Sequence, residues 1–294
     1  MKLPRKLRIL WDYFINTRAK PRIQFLEYMV QNLQQELDAH VAGLSYLLDE
    51  QTQASFAYQW QYVKEGTATT YDEKWMDKVA DEVSKLTQIP AAAWAGMDVL
   101  DVGCGNGRWA LGLCRLGAKS VTVLDASLYA LQHTTKLCKT HGFEIEAIEA
   151  DVTTMIPDGR FDLVWCFGVA HHTSAPYTVL QYLADLVKPS GYLFTMLYGW
   201  PTTWLHRVPV NQYERLRRET AEMSFNQREE YIRPLVSEKD LHGMFDAVSP
   251  HLNRLMTWEQ IVFLLSSLGF TDMARMRRTK EHRNHYVIAK KGAE

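Results

Sequence analysis

Short apolar runs and amphipathic stretches alternate through the middle of the chain, the signature of strands and helices wound into a parallel α/β sheet. Met97 to Val102 predicts a strand, Arg108 to Leu116 a helix closed by Gly117, and Ser120 to Leu124 the next strand. Ser127 is placed to cap a helix that ends near Gly142. Ile145 to Ala150, Phe161 to Phe167 and Tyr192 to Tyr198 supply three further strands, and Val179, Leu180, Leu183 and Val187 mark the helix before the last of them. Ahead of this rhythm, up to about Ile89, the pattern is helical: Phe25, Met29, Leu33 and Leu37 recur at four-residue steps and share one helix face. Between Ser55 and Tyr62 the aromatic residues Phe56, Tyr58, Trp60 and Tyr62 alternate instead, which predicts an extended segment, packed in the core or closing over a bound small molecule.

After Tyr198 the rhythm breaks. The stretch from Gly199 to Pro250, with Pro201, Pro209, Pro234 and many arginines, predicts an insertion carrying one polar helix. Regularity returns at Thr257, where Thr-Trp-Glu-Gln forms a capping box for an apolar helix that Gly269 ends. Thr271 to Arg278 and Asn284 to Lys290 then predict a closing hairpin. No repeat or low-complexity tract interrupts the 294 residues, and the length suits one large domain or a nucleotide-binding domain with additions.

Composition narrows the partners. A hydrophobic content of 47% with 23% charged residues is that of a folded chain. Thirty-three basic residues nearly balance thirty-four acidic ones, so no overall field draws the chain to nucleic acid or an anionic membrane. The four cysteines lack zinc-type spacing, no metal-ligand set is read, and free thiols in a reducing cytoplasm are expected. The basic, aromatic start, MKLPRKLRILWDYF, is interrupted before a signal-peptide core forms, and no window reaches the length of a spanning helix; at most it offers a weak surface association. Integral membrane association is therefore not expected, and the number of subunits is left open.

The chemistry concentrates in Val99-Leu-Asp-Val-Gly-Cys-Gly-Asn-Gly-Arg108, which puts Gly103, Gly105 and Gly107 at the turn from the first strand into the first helix. Missing β-carbons there let a ligand approach the backbone. Dinucleotide folds use related turns, but their G-x-G-x-x-G spacing is absent, since Arg108 or Ala110 stands where the third glycine is required. Asp125 ends the second strand, where a carboxylate can accept from both ribose hydroxyls. Asp151 ends the third, within reach of an adenine amino group, and this third acid separates an adenosyl ligand from NAD.

These residues, with Phe161-Asp-Leu-Val, Phe167-Gly-Val-Ala-His-His-Thr and Leu186-Val-Lys-Pro-Ser-Gly-Tyr-Leu, resemble the class I S-adenosylmethionine-dependent methyltransferases of the ubiquinone and menaquinone type. The resemblance implies a doubly wound, mostly parallel seven-stranded sheet with an antiparallel C-terminal hairpin. It implies residues 90–294 as the methyltransferase domain, 1–89 as a helical extension or lid, and 199–250 as a substrate-side insertion. By position, Gly103, Cys104, Gly105, Asn106 and Gly107 would lie under the methionine part of S-adenosylmethionine, with Asp101 supporting the turn and the amino group. Asp125 with Ala126 would take the ribose, and Asp151 with Val152 the adenine. Phe167 and Gly168 would flank the cofactor. Ser190 stands where this family usually has glycine.

His171 and His172 follow the fourth strand and are the candidate bases or helpers in holding a metal, with a packed, backbone-bonded structural role as the equal alternative for each; His171 is slightly preferred as the base. Tyr198, Trp200 and Trp204 are candidates for an aromatic acceptor pocket. Arg215, Arg217 and Arg218 are read either as an anion site or as a solvated helix face, and Arg275, Arg277, Arg278 and Lys280 as surface charge. Methyl transfer to a small molecule, at an oxygen of a phenol, carboxylate or sugar, is the leading expectation. Methylation of tRNA or protein, a non-catalytic adenosyl-binding scaffold and a nicotinamide dehydrogenase are the competing ones.

Overall fold

The computed structural model describes residues 44–63, 72–154, 159–200, 204–276 and 283–293, with side chains from Tyr46 and, in the helix that opens at Trp204, from Asn211. The apolar face of Phe25, Met29, Leu33 and Leu37 lies outside the described residues, as do Arg277, Arg278, Lys280 and the side chain of Trp204.

Two helices, α1 (Leu44–Tyr62) and α2 (Glu73–Thr87), precede the sheet. Then come β1 (Asp98–Val102), α3 (Arg108–Arg115), β2 (Ser120–Asp125), α4 (Leu128–Thr140), β3 (Glu146–Glu149), β4 (Phe161–Phe167), α5 (Pro176–Asp185) and β5 (Val187–Leu197). Three helices follow, α6 (Trp204–Glu219), α7 (Phe225–Ile232) and α8 (Glu238–Val248), before α9 (Trp258–Ser267) and the hairpin β6 (Phe270–Met276) and β7 (His285–Lys291). The seven strands lie in the order β3-β2-β1-β4-β5-β7-β6. β1 to β5 pair in parallel, and β7 enters antiparallel between β5 and β6.

Side chains that alternate along the central strands divide the core into two layers. Val99, Leu163, Trp165 and Phe194 pack against α2, α3 and α4, where the Trp165 and Phe194 rings stack at 3.9 Å. Leu100, Val164, Cys166 and Leu193 face the other way, onto α5 and α9. Both faces of the central strands are thus dry, which is why those strands read as nearly continuous apolar runs. A third, smaller core of Leu216, Ile232, Leu241, Phe245 and Val248 holds α6, α7 and α8 together.

Two expectations are corrected. The insertion carries three helices, because Ser224 and Gln227 form a capping box that starts α7 and Ser237 opens α8. The alternating aromatics form part of α1. They are two interleaved pairs four residues apart. Phe56 and Trp60 meet His172 and His242 at 4.9 and 4.8 Å, whereas Tyr58 and Tyr62 pack on each other at 4.9 Å, with Phe245 at 5.7 Å from Tyr58.

β5 bulges beside the start of β4, and at that bulge Ser190 is exposed and adopts a left-handed φ of 61°. A β-carbon is disfavoured there. Ser190→Gly is expected to raise unfolding free energy by about 0.5–1 kcal/mol, net of the unfolded-state entropy of glycine; urea denaturation checks it, and a fall in stability would contradict the assignment of strain.

Candidate active site

The C-terminal ends of β1, β2 and β3 are stitched together by main-chain bonds. Gly103 donates its N–H to the Leu124 carbonyl at 2.6 Å, and Ala150 donates to the Asp125 carbonyl at 3.1 Å. The Asp125 carboxylate adds two more, accepting the Gly105 N–H at 3.0 Å and the Ser127 N–H at 2.9 Å. Ser127 then caps α4 by accepting from Ala130. The turn after β1 has no space for side chains at two positions: a β-carbon on Gly103, where φ is 70°, would lie 2.2 Å from Val169 Cγ2, and one on Gly105, where φ is 53°, 2.7 Å from the Trp60 ring.

Across these strand ends runs a cavity of about 810 Å³, in the range of small-molecule sites. Its floor contains Gly103, Cys104, Asn106, Asp125, Ala126, Asp151 and Val152, and its wall Phe167, Gly168, His172 and Tyr198. These expected residues meet in one place. Asp101, Gly105, Gly107, His171 and Trp200 do not line it. Gly105 and Gly107 shape the turn from behind, since Gly105 holds Asp125 and Gly107 is the N-cap residue of α3.

Asp101 is 1% exposed, and among the described residues neither of its oxygens makes a well-formed hydrogen bond, the Ala110 N–H being a weak donor to it. Burial, with the Asp125 charge adding, pushes its carboxyl up to about 8, against the opposing Ala110 N–H. Burial also raises the Asp125 carboxyl, which the N–H groups of Gly105, Ser127 and Ala126 oppose. Cys104 is held well above the ordinary thiol value by burial and by both acids.

The preference for His171 is corrected. Its ring is fully buried behind the cavity, between Tyr198 at 4.1 Å and His172 at 4.2 Å, and desolvation drives it well below the usual histidine value. His172 is on the wall. Its Nδ1 lies 2.8 Å from the Leu252 carbonyl, which can only accept, so Nδ1 carries the proton and Nε2 keeps a lone pair. Nε2 is buried without a partner among the described residues. Burial lowers the His172 pKa, and the Asp246 charge partly restores it.

Phe56 and Trp60, read as core packing or as a cover over a bound small molecule, line the wall, and several other wall residues lay outside the sequence reading. Asp49, Gln53, Phe56 and Trp60 line the cavity from one face of α1, a 4-3-4 spacing that a helical reading of the segment reveals. Gln53 donates to Asp151 Oδ2 at 2.7 Å, and Asp49 accepts the Ser174 N–H at 2.9 Å. α8 contributes His242 and Asp246, and the latter accepts from the Tyr198 hydroxyl at 2.5 Å. Asn284 and Tyr286 reach in from the start of β7. Two of the α6 arginines have partners within the chain: Arg215 pairs with Glu219, and Arg217 donates to the Ala247 and His251 carbonyls.

The strand order decides the fold family, because a dinucleotide fold places a sixth parallel strand where this sheet has the antiparallel β7. Residues 99–191 match the model of a methyltransferase domain family. Over those residues, about a third of the chain, the sequence is similar to that family. A ubiquinone biosynthesis O-methyltransferase of Albidiferax ferrireducens is 38% identical over 108 residues, 34% of this chain and 40% of that protein. The namesake from Neisseria meningitidis is 29% identical over 154 residues, 48% of this chain and 64% of that protein. The chain thus spans less than two thirds of the length of these curated relatives. Among solved structures, the magnesium protoporphyrin IX methyltransferase of Synechocystis, crystallised with bound S-adenosylmethionine, superposes with a TM-score of 0.52 at 14% identity, over 84% of this chain and 97% of that one. An N-methyltransferase of Bradyrhizobium japonicum gives 0.51 at 13% identity, over 83% and 100%. No helix among the described residues is long and apolar enough to cross a membrane.

Behind the glycine turn, Asp101 makes stability depend on pH. Its folded pKa of about 8 exceeds the ordinary 3.8, so the folded form keeps a proton that the unfolded chain releases. That contribution is full below the unfolded value and is lost as pH rises through the folded one. Asp101→Asn, which cannot ionise, is therefore expected to gain stability relative to the parent as pH rises from 5 to 8. Denaturant titrations at both values check this, and a pH-independent difference would contradict it.

Proposed function

We propose that the chain is an S-adenosylmethionine-dependent methyltransferase that transfers the methyl group to an oxygen of a small molecule, a phenol, carboxylate or sugar. The observation that carries this reading is a single cavity bounded by Asp125 and Asp151 at two strand ends and by the unpartnered His172 Nε2 beyond them.

The residues fit the cofactor. The bend at Gly103 and Cys104, which lines the cavity, would receive the methionine part, and Asp125 would take the ribose with the acceptor capacity its backbone bonds leave. Asp151 and Val152 would meet the adenine. When bound, the sulfonium supplies a methyl group that is already electrophilic, so the protein's tasks are alignment and exclusion of water. α1 contributes to both by covering the cavity, since it touches α4 on one side and α8 on the other, and we assign it the role of a lid. His172, with its tautomer fixed by Leu252, would accept a proton from an acceptor hydroxyl at Nε2. Tyr198 and Asp246 would shape the acceptor end, with Phe167 and Tyr286 beside them. The relatives named above as O-methyltransferases support oxygen as the acceptor atom. Four free, buried cysteines agree with a cytoplasmic site of action. A macromolecular substrate is less well supported, because Arg215 and Arg217, which a phosphate track would need, are already engaged.

Calorimetry with S-adenosylhomocysteine tests the cofactor. The parent chain is expected to bind, and Asp125→Ala to weaken binding by about tenfold or more; absence of binding by the parent removes the proposal. Burial holds His172 below the ordinary value of 6.5, so the acid limb of kcat is expected below that pH, rate being lost as Nε2 protonates. His172→Gln is expected to lower kcat by about 10²- to 10⁴-fold and to abolish the limb. Release of S-adenosylhomocysteine across a panel of phenols, carboxylates and sugars measures both, and turnover that persists in His172→Gln with its limb intact would exclude His172 as the base.

A further inference from the structure

Among the described residues, a polar bond between α1 and the turn after β3 crosses the expected adenine site. Gln53 Nε2 lies 2.7 Å from Asp151 Oδ2, and both residues line the cavity. The orientation of the amide follows from chemistry, because an ionised carboxylate only accepts and therefore faces the NH2 group. The other oxygen, Asp151 Oδ1, is filled by the Thr153 N–H at 2.8 Å and the Thr153 hydroxyl at 2.7 Å. Asp151 is thus fixed by its own turn and in turn fixes Gln53.

The helix bearing Gln53 is held in register. Ser55 bonds Ser249 at 2.7 Å, Thr52 accepts the Leu252 N–H at 3.1 Å, and Asp49 binds the Ser174 backbone. Gln53 uses one of its two N–H groups on Asp151. Its second N–H and its carbonyl oxygen remain as a donor–acceptor pair, and a carboxamide offering that pair matches the N7 acceptor and N6 donor of adenine bidentately. A carboxylate alone can read only the N6 donor.

Resting on the cofactor reading above, we propose that Gln53 is a specificity-determining residue that reads the N6/N7 edge of the cofactor's adenine, with Asp151 acting as the residue that positions its amide. The base would then be recognised from the lid helix as well as from the sheet.

Calorimetry on the full chain with S-adenosylhomocysteine and its 7-deaza analogue, in which N7 becomes C–H, tests this. The parent is expected to bind the natural compound about tenfold more tightly than the analogue. In Gln53→Met that preference is expected to vanish, with the melting temperature of the unliganded variant recording that it folds. Equal affinity of the parent for both compounds overturns the proposal, and this comparison needs no variant. A preference that survives in Gln53→Met also overturns it. Failure of the parent to bind either compound removes the cofactor reading as well, a result distinct from equal binding.

Discussion

The Asp125 carboxylate holds the site together. By accepting the Gly105 N–H from one βα turn and the Ser127 N–H from the next, it fixes the spacing between the ends of β1 and β2, and with it the width of the crevice above them. Charge-assisted bonds to backbone N–H groups are stronger than neutral ones, and burial strengthens them further. The same group that would bind the ribose therefore also builds the place where the ribose would lie. The absence of β-carbons at Gly103 and Gly105 is what leaves room for Val169 and the Trp60 ring to pack against this turn.

Above this frame the site is closed by segments remote in sequence. α1 comes from before the sheet, α8 from the insertion after β5, and Asn284 and Tyr286 from the closing hairpin. Side chains of α1 bond the 249–252 connector, which also fixes the tautomer of His172 through Leu252. Cover and candidate base are thereby mechanically joined, so a shift of α1 is transmitted to the ring that would take the proton.

The central strands were legible from the sequence because both of their faces are buried, so β1, β2 and β4 stand out as apolar runs ended by a glycine or an acid. The Thr257 capping box announced α9, and the same signature at Ser224 to Gln227 could have announced α7. The segment around Phe56 misled for a definite reason: two helical pairs offset by two residues reproduce the period of a strand. Adjacent histidines differ only in the direction of their rings, and that depends on Tyr198 and Leu252, which lie far along the chain. Asp246, Asn284 and Tyr286 carry no local motif. They become site residues only through the packing of α8 on α1 and of β7 on β5.

The central claim is that the crevice framed by Asp125 is the seat of an adenosyl sulfonium. A crystal structure of the chain with S-adenosylhomocysteine tests it most directly. The account predicts the ribose hydroxyls within hydrogen-bond distance of the Asp125 carboxylate, the adenine beside Asp151 and the sulfur facing His172. A complex in which protein side chains fill the crevice and the nucleoside lies elsewhere would contradict it.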